Sequence, residues 1–430
     1  MTFPADFVWG AATAAHQVEG GNWNSDCWAL ESAKPSFFVE HSGVACDQFA
    51  RYGDDLAILA GLGLNTYRFS IEWARIEPEE GAFSQQALDH YKRVIDACWQ
   101  RNIQPMATFH HFTNPRWVAR DGGWSDDRFP DRFARYCEAT AEALAGELAY
   151  ACTINEINLP DALSELMQRV KAKYPDRTAA AEQALSAPIE SFFLFAGNDA
   201  YTARALRAHT LSRDAIKAAA PHVPVGMTMS IQECEAEESP AAEAAVRAYK
   251  ERVYAPYYDL AKRDDFLGVQ TYTRTLFGAD GRASRKPPPG AEITQMGYEY
   301  RPQAIGATCR DAWAATQTPI IVTESGIATK DDARRRAFIR AALESVSAAM
   351  TGGVDIRGYV YWTLLDNFEW MSGYAPLFGL VGVDRGTMAR AIKPSAVMIG
   401  QIARANSLDA IAADADDAVS GGGAAVGIGN

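Results

Sequence analysis

Apolar residues in this 430-residue chain fall into two alternating spacings. One is a short unbroken apolar or β-branched run that stops at a polar residue. Runs of that kind read as strands buried on both faces. They occur at residues 7–12, 65–70, 103–109, 150–154, 223–229, 266–270, 319–326 and 358–362. The first is expected to run on and end at Gln17. In the other spacing, apolar residues recur every three or four positions, which places them on one face of a helix. Phe49, Tyr52, Leu56 and Leu59 do so across residues 47–64, with Gly61 and Gly63 at the end as stop signals. Leu88, Tyr91, Val94, Ile95 and Cys98 do so across 84–101, and Ser84 is placed to cap that helix. Phe133, Tyr136, Cys137, Thr140 and Leu144 mark the inward face of 127–146. A further helix is expected at 201–219. Residues 157–200 read as a partly helical insertion, and residues 278–301, rich in Gly, Pro and charge, as a loop.

Eight short strands with helices between most of them predict an α/β fold, a single (β/α)8 TIM barrel with loop insertions at its C-terminal face. No linker interrupts residues 1–405, which are expected to form one domain. Residues 406–430 turn to low complexity, ending Ser-Gly-Gly-Gly-Ala-Ala-Val-Gly-Ile-Gly-Asn, and read as a tail.

Composition narrows the partners. A formal charge of −13 argues against nucleic acid and anionic membranes, and weakly against phosphorylated substrates. Seven scattered cysteines without a Cys-x-x-Cys pair read as reduced thiols, neither a disulfide framework nor a zinc site. The N-terminus lacks a basic region and an apolar signal core, and no apolar run is long enough for a membrane span. A cytoplasmic location is the expectation.

In a TIM barrel the chemistry sits where the strands end. The strand ends carry Gln17, Arg68, His111, Asn155, Glu156, Tyr272, Glu324 and Trp362. Glu324 ends the run Pro-Ile-Ile-Val-Thr-Glu-Ser-Gly, and Glu156 ends Tyr-Ala-Cys-Thr-Ile-Asn-Glu. Each could be an ordinary solvated or capping carboxylate. Together, facing each other across one pocket, they are the pair that hydrolysis of a glycoside with retention requires. No His-x-x-x-His pattern and no phosphate-binding Gly-rich loop accompanies them, so no metal or cofactor is expected. Amides and carboxylates for hydroxyls, with aromatic rings for the apolar faces of a sugar, suit a small-molecule glycoside.

These segments resemble the family 1 glycoside hydrolases, the β-glucosidase family of retaining enzymes on a (β/α)8 barrel. Thr-Ile-Asn-Glu at 153–156 is similar to the family's acid/base motif, and Val-Thr-Glu-Ser-Gly at 322–326 to its nucleophile motif. His-Gln-Val-Glu-Gly at 16–20, Arg-Phe-Ser at 68–70 and Asn-Phe-Glu-Trp at 367–370 also match, in the family's order. The resemblance covers about residues 3–403. It implies a retaining β-glucosidase-type hydrolase with Glu324 as nucleophile and Glu156 as general acid/base. Asn155 would bond the 2-hydroxyl. Gln17 and Glu369 would take the 3-, 4- and 6-hydroxyl region, His111 and Trp370 the 3-hydroxyl. Trp362 would form the ring platform, while Arg68 and Tyr272 would hold the nucleophile ionised and aimed.

Most of the departures from the family pattern are expected around the pocket's mouth; they are Ile157 for Pro, Phe112 for Trp, Gln270-Thr271-Tyr272 for Asn-Tyr-Tyr, and Leu377 at a position often basic. They bear on the aglycone. Three other readings share the barrel: a 6-phospho-β-glycosidase, which Glu369 disfavours, a transglycosylase, and a non-catalytic sugar-binding barrel. Glucoside, galactoside and fucoside remain alternatives at this point, and the oligomeric state stays open.

Overall fold

The computed structural model describes residues 1–284 and 286–411. Nine parallel strands surround the core: β1 (Val8–Ala12), β2 (Thr66–Ser70), β3 (Gln104–His110), β4 (Tyr150–Ile154), β5 (Val225–Gly226), β6 (Thr228–Ser230), β7 (Leu267–Gln270), β8 (Ile320–Ser325) and β9 (Ile356–Trp362). Their order is β5-β4-β3-β2-β1-β9-β8-β7-β6. The two ends of that order, β5 and β6, are separated in sequence only by Met227. The sheet therefore returns on itself as a nearly closed barrel, and the single strand expected at 223–229 is two short pieces. The first bonds to β4 and the second to β7.

Helices cover the outside: α1 (Gln48–Leu62), α2 (Gln85–Trp99), α3 (Phe129–Leu144), α4 (Leu159–Lys173), α5 (Pro175–Leu185), α6 (Asp199–Ala219), α7 (Pro240–Val253), α8 (Ala304–Thr316), α9 (Asp332–Thr351) and α10 (Pro394–Ala405). The apolar faces expected on α2 and α3 are buried as read. Ser84 caps α2 by accepting a bond from the Ala87 N–H. The insertion at 157–200 is mostly helical, as α4 and α5.

One expectation needs correction. The first strand ends at Ala12, and Gln17 lies in a separate one-turn helix, Ala15–Val18. At the other end, Asn406 bonds to Trp9 Nε1 and to the Phe3 and Pro4 carbonyls, so the chain is still tied to the barrel beyond 405. The remainder of the expected tail, 412–430, lies outside the described residues.

Inside the barrel, alternate strand positions share one face. Val8 and Ala12 of β1, Met106 of β3, Cys152 of β4, Ile321 of β8, and Val360 and Trp362 of β9 form one buried cluster there. Arg68 pairs in register with Ala12 and Met106, so it points into the same interior. Gly268 on β7 gives this layer its room. A Cβ there would lie 2.5 Å from Thr228 Cγ2 and 2.8 Å from Thr323 Oγ1. Gly268→Ala should therefore overpack the barrel and cost about 1–3 kcal/mol of stability. A lowered urea midpoint followed by circular dichroism is the expected result; an unchanged midpoint would contradict this packing.

Candidate active site

The strands' C-terminal ends open on a cavity of about 210 Å³. Glu324 enters it because β8 slips register between Val322 and Glu324 against β7, and between Val322 and Ser325 against β9. A bulge of this kind re-aims a side chain. Here it sets Glu324 opposite Gln270, on the face that looks into the barrel.

Glu324 is gripped at both oxygens. Arg68 Nη1 donates to Oε1 at 2.6 Å, and the Tyr272 hydroxyl donates to Oε2 at 2.6 Å. Arg68 Nη2 donates to Asn155 Oδ1 at 2.5 Å, an oxygen that also accepts from Gln270 Nε2 at 2.8 Å and from Thr228 Oγ1 at 3.2 Å. Three donors on that oxygen settle which way the Asn155 amide faces. Its Nδ2 must then donate to His111 Nε2, 3.2 Å away. A ring nitrogen that accepts carries no proton, so the neutral His111 ring holds its proton on Nδ1. Burial, with help from Arg68 and His110, pushes His111 well below the usual histidine range and keeps it neutral.

Burial also pushes the Glu324 carboxyl up, while Arg68 and the Tyr272 hydroxyl oppose it. Arg68 is raised above its ordinary value by Glu324, against the effect of burial. A guanidinium–carboxylate contact this short favours the charged form of both groups. Burial and Glu324 drive the Tyr272 phenol well above the usual range, so it stays a donor.

Glu156 follows β4 and lines the same cavity. Its N–H donates to Thr228 Oγ1 at 3.0 Å. Glu156, Phe112 and Trp370 all border the cavity and all hold left-handed backbone, at φ of 47°, 71° and 47°. Left-handed conformations of non-glycine residues cost of order 1–3 kcal/mol and gather at ligand sites. Trp362 and Trp370 flank His111 in near-parallel planes, at 20° and 14°.

Eight residues singled out from the sequence thus border one cavity: His111, Asn155, Glu156, Tyr272, Glu324, Trp362, Glu369 and Trp370. Gln17 and Arg68 stand behind the wall. Gln17 is fully buried, with Nε2 donating to the Phe368 carbonyl at 2.7 Å and to Asn367 Oδ1 at 3.3 Å. Its Oε1, together with His111 Nδ1 and Glu369 Oε2, has no protein partner among the described residues. His110 is a packed ring whose Nε2 meets Asn114 Oδ1 at 3.1 Å, among Trp124, Phe129 and Phe133. Sequence reading named Gln270 only as a departure from the family pattern and passed over Thr228; both brace Asn155. Both are polar residues on strands ending at this face, and that position was the available signal.

Among the described residues, His16, Cys27 and Glu31 bring possible metal ligands within 4.8 Å of one another. Both His16 nitrogens are already engaged, Nε2 with Glu31 Oε1 at 2.7 Å and Nδ1 with Asn22 Nδ2 at 2.9 Å. The cluster is closed by its own hydrogen bonds and leaves the ring nothing to offer an ion.

The barrel, the strand-end carboxylates and the tryptophan walls now meet an independent match. The family model for glycosyl hydrolase family 1 matches residues 1–258 and 255–408. The chain belongs to glycosyl hydrolase family 1. It is 31% identical to the thermostable beta-glucosidase B of Thermobispora bispora, covering 95% of this chain and 92% of that one. It is 29% identical to a bifunctional beta-D-glucosidase/beta-D-fucosidase of Bifidobacterium breve, covering 92% and 96%. A crystal structure of a beta-glycosidase superposes with a TM-score of 0.89 at 44% identity, over 94% of this chain and 98% of that one. The beta-glucosidase of Thermotoga maritima in complex with glucoimidazole superposes at 0.83 with 26% identity, over 95% and 100%. This family 1 enzyme is a glycoside hydrolase on a TIM barrel.

Glu369 carries the site's pH signature. Burial pushes it up to about 8, and Glu324 and Glu156 add to the rise, while Gln17 opposes it. A carboxyl that holds its proton more tightly when folded costs stability as pH climbs from its unfolded pKa to its folded one. Glu369→Gln should therefore stabilise the family 1 enzyme by about 1–3 kcal/mol at pH 8. The gain should shrink to nothing as pH falls below about 4.5. Denaturant melts of both proteins across that range check it; a gap independent of pH would contradict the assignment.

Proposed function

We propose that this enzyme is a retaining β-glycosidase that removes terminal, non-reducing β-D-glucosyl residues through a covalent glycosyl-enzyme. The observation that carries the reading is the grip of Arg68 and Tyr272 on Glu324 in a cavity that Glu156 also borders. One carboxylate is held charged and aimed, and a second is at hand for proton transfer.

The Glu324 carboxylate attacks the anomeric carbon as the bond to the leaving oxygen breaks, and Glu156 gives that oxygen its proton. The sugar remains as an ester on Glu324. Forming the ester removes the Glu324 charge, which favours the ionised form of Glu156. Glu156 then takes a proton from water as the water oxygen attacks the same carbon. Glu324 departs, and two inversions leave the configuration retained. The unpartnered Gln17 Oε1, His111 Nδ1 and Glu369 Oε2 suit the 3-, 4- and 6-hydroxyl region of the sugar, with Trp362 beneath the ring. Glu369 stands beside two more acidic side chains and brings no positive charge to a 6-phosphate, which favours an unphosphorylated sugar. The names of the relatives support glucose, and the Bifidobacterium breve protein's name brings fucose into the same comparison. A cytoplasmic location is part of the proposal. It is supported by Cys27, Cys46, Cys98, Cys137, Cys152 and Cys309, which are buried and outside any disulfide. Among the described residues no helix is long and apolar enough to cross a membrane.

Glu324→Ala should abolish turnover of nitrophenyl β-glucoside, and added azide should restore it with inverted product. Turnover surviving in that variant would refute the nucleophile. Glu156→Ala should lose about 10²–10⁴-fold in kcat on poor leaving groups and much less on activated ones. Equal losses on both would refute the acid role.

A further inference from the structure

The two ends of the cavity differ in kind. At the deep end, His111 Nδ1 and Glu369 Oε2 lack protein partners among the described residues. At the outer end the wall is apolar. Leu159 and Leu163, one turn apart on α4, face it together with Leu194, Met296, Met371 and Phe378. Leu159, Leu163, Met296 and Met371 are half-buried, which marks this end as the mouth. They come from segments far apart in sequence: the insertion after Glu156, the loop before α8, and the stretch after β9.

Some of the polar groups at this end are engaged within the protein. The Thr273 hydroxyl donates to the Glu299 carbonyl at 3.0 Å, and Gln232 Oε1 accepts from the Thr273 N–H at 3.3 Å. The Ser230 backbone is bonded on both sides to Asn158. A second sugar placed here would give up water at each hydroxyl against a wall that is mostly apolar, a net cost. An alkyl or aryl group would lose only apolar hydration and gain the leucine, methionine and phenylalanine contacts.

From this asymmetry we propose that the natural substrates are β-glycosides of apolar alcohols or phenols, rather than β-linked oligosaccharides. The inference rests on the β-glycosidase reading above and adds the aglycone class to it. Leu163 is its principal specificity residue, since it stands on the inner face of α4 at the mouth. Departure of the aglycone follows the same chemistry as before, the glycosidic oxygen leaving with the proton from Glu156.

The test is kcat/KM on methyl, butyl and hexyl β-glucosides and on cellobiose, with nitrophenyl β-glucoside as the reference. The alkanols have closely similar leaving abilities, so chain length reports burial and little else. Each added methylene should raise kcat/KM by up to about fourfold. Hexyl β-glucoside should exceed cellobiose at least tenfold, although a sugar hydroxyl is the better leaving group. Leu163→Asn should flatten the dependence on chain length. A flat wild-type series, or cellobiose faster than hexyl β-glucoside, would overturn the aglycone inference while nitrophenyl β-glucoside is still cleaved. No cleavage of nitrophenyl β-glucoside would overturn the proposed function and this inference with it.

Discussion

The buried ion pair of Arg68 and Glu324 is the constraint around which the rest is arranged. Arg68 is fully buried and the Glu324 side chain is only 5% exposed. Taking two charges out of water costs several kcal/mol per ion, and their attraction repays it only when the remaining donors and acceptors are matched. The barrel supplies that match. Asn155 takes the second arm of the guanidinium, and Tyr272 takes the second carboxylate oxygen. Gln270 and Thr228 then secure Asn155. These groups come from five strands or their ends, β2, β4, β6, β7 and β8, so the closed sheet is what lets them converge. Removing Arg68 would leave a buried carboxylate without its counter-charge, which would favour its protonated and unreactive form.

The same constraint explains where the fold departs from regularity. A strand of even alternation would turn Glu324 toward the helices, and the register slip in β8 turns it inward. Glu156, Phe112 and Trp370 adopt left-handed backbone at the cavity wall, where ordinary packing offers no reason for it. Regular barrel geometry ends where the binding surface begins. The energy of those irregular turns is offset by the large core between sheet and helices.

Most of the barrel was legible because its strands are buried on both faces and read as unbroken apolar runs. Features that depend on pairing in space were not. The break at Met227 follows from the closing geometry of β5 and β6 against different neighbours. A small outer sheet, Glu233–Ala236 with Arg274–Phe277 and Ala283–Ser284, has no apolar signature. Its charged residues are matched across strands and loops instead, by Arg274 with Glu235 and Glu299 and by Arg301 with Glu233. In the site, Glu156 and Glu324 could be named because each ends a run. Gln17 was expected at a strand end, yet it lies in a one-turn helix behind the wall, held by the segment that carries Glu369. The mouth was the least legible part. Leu159, Leu163, Met296 and Phe378 look like ordinary core residues until the fold brings them to one opening.

The central claim is that Glu324, held by Arg68 and Tyr272, is the atom donor of a covalent bond to the sugar. Its most direct test is to treat the enzyme with 2-deoxy-2-fluoroglucosyl fluoride of β configuration, digest it and locate the added mass by tandem mass spectrometry. The account predicts one fluoroglucosyl group per chain, on the peptide and at the residue of Glu324. Labelling at Glu156, or inactivation without any covalent adduct, would contradict it.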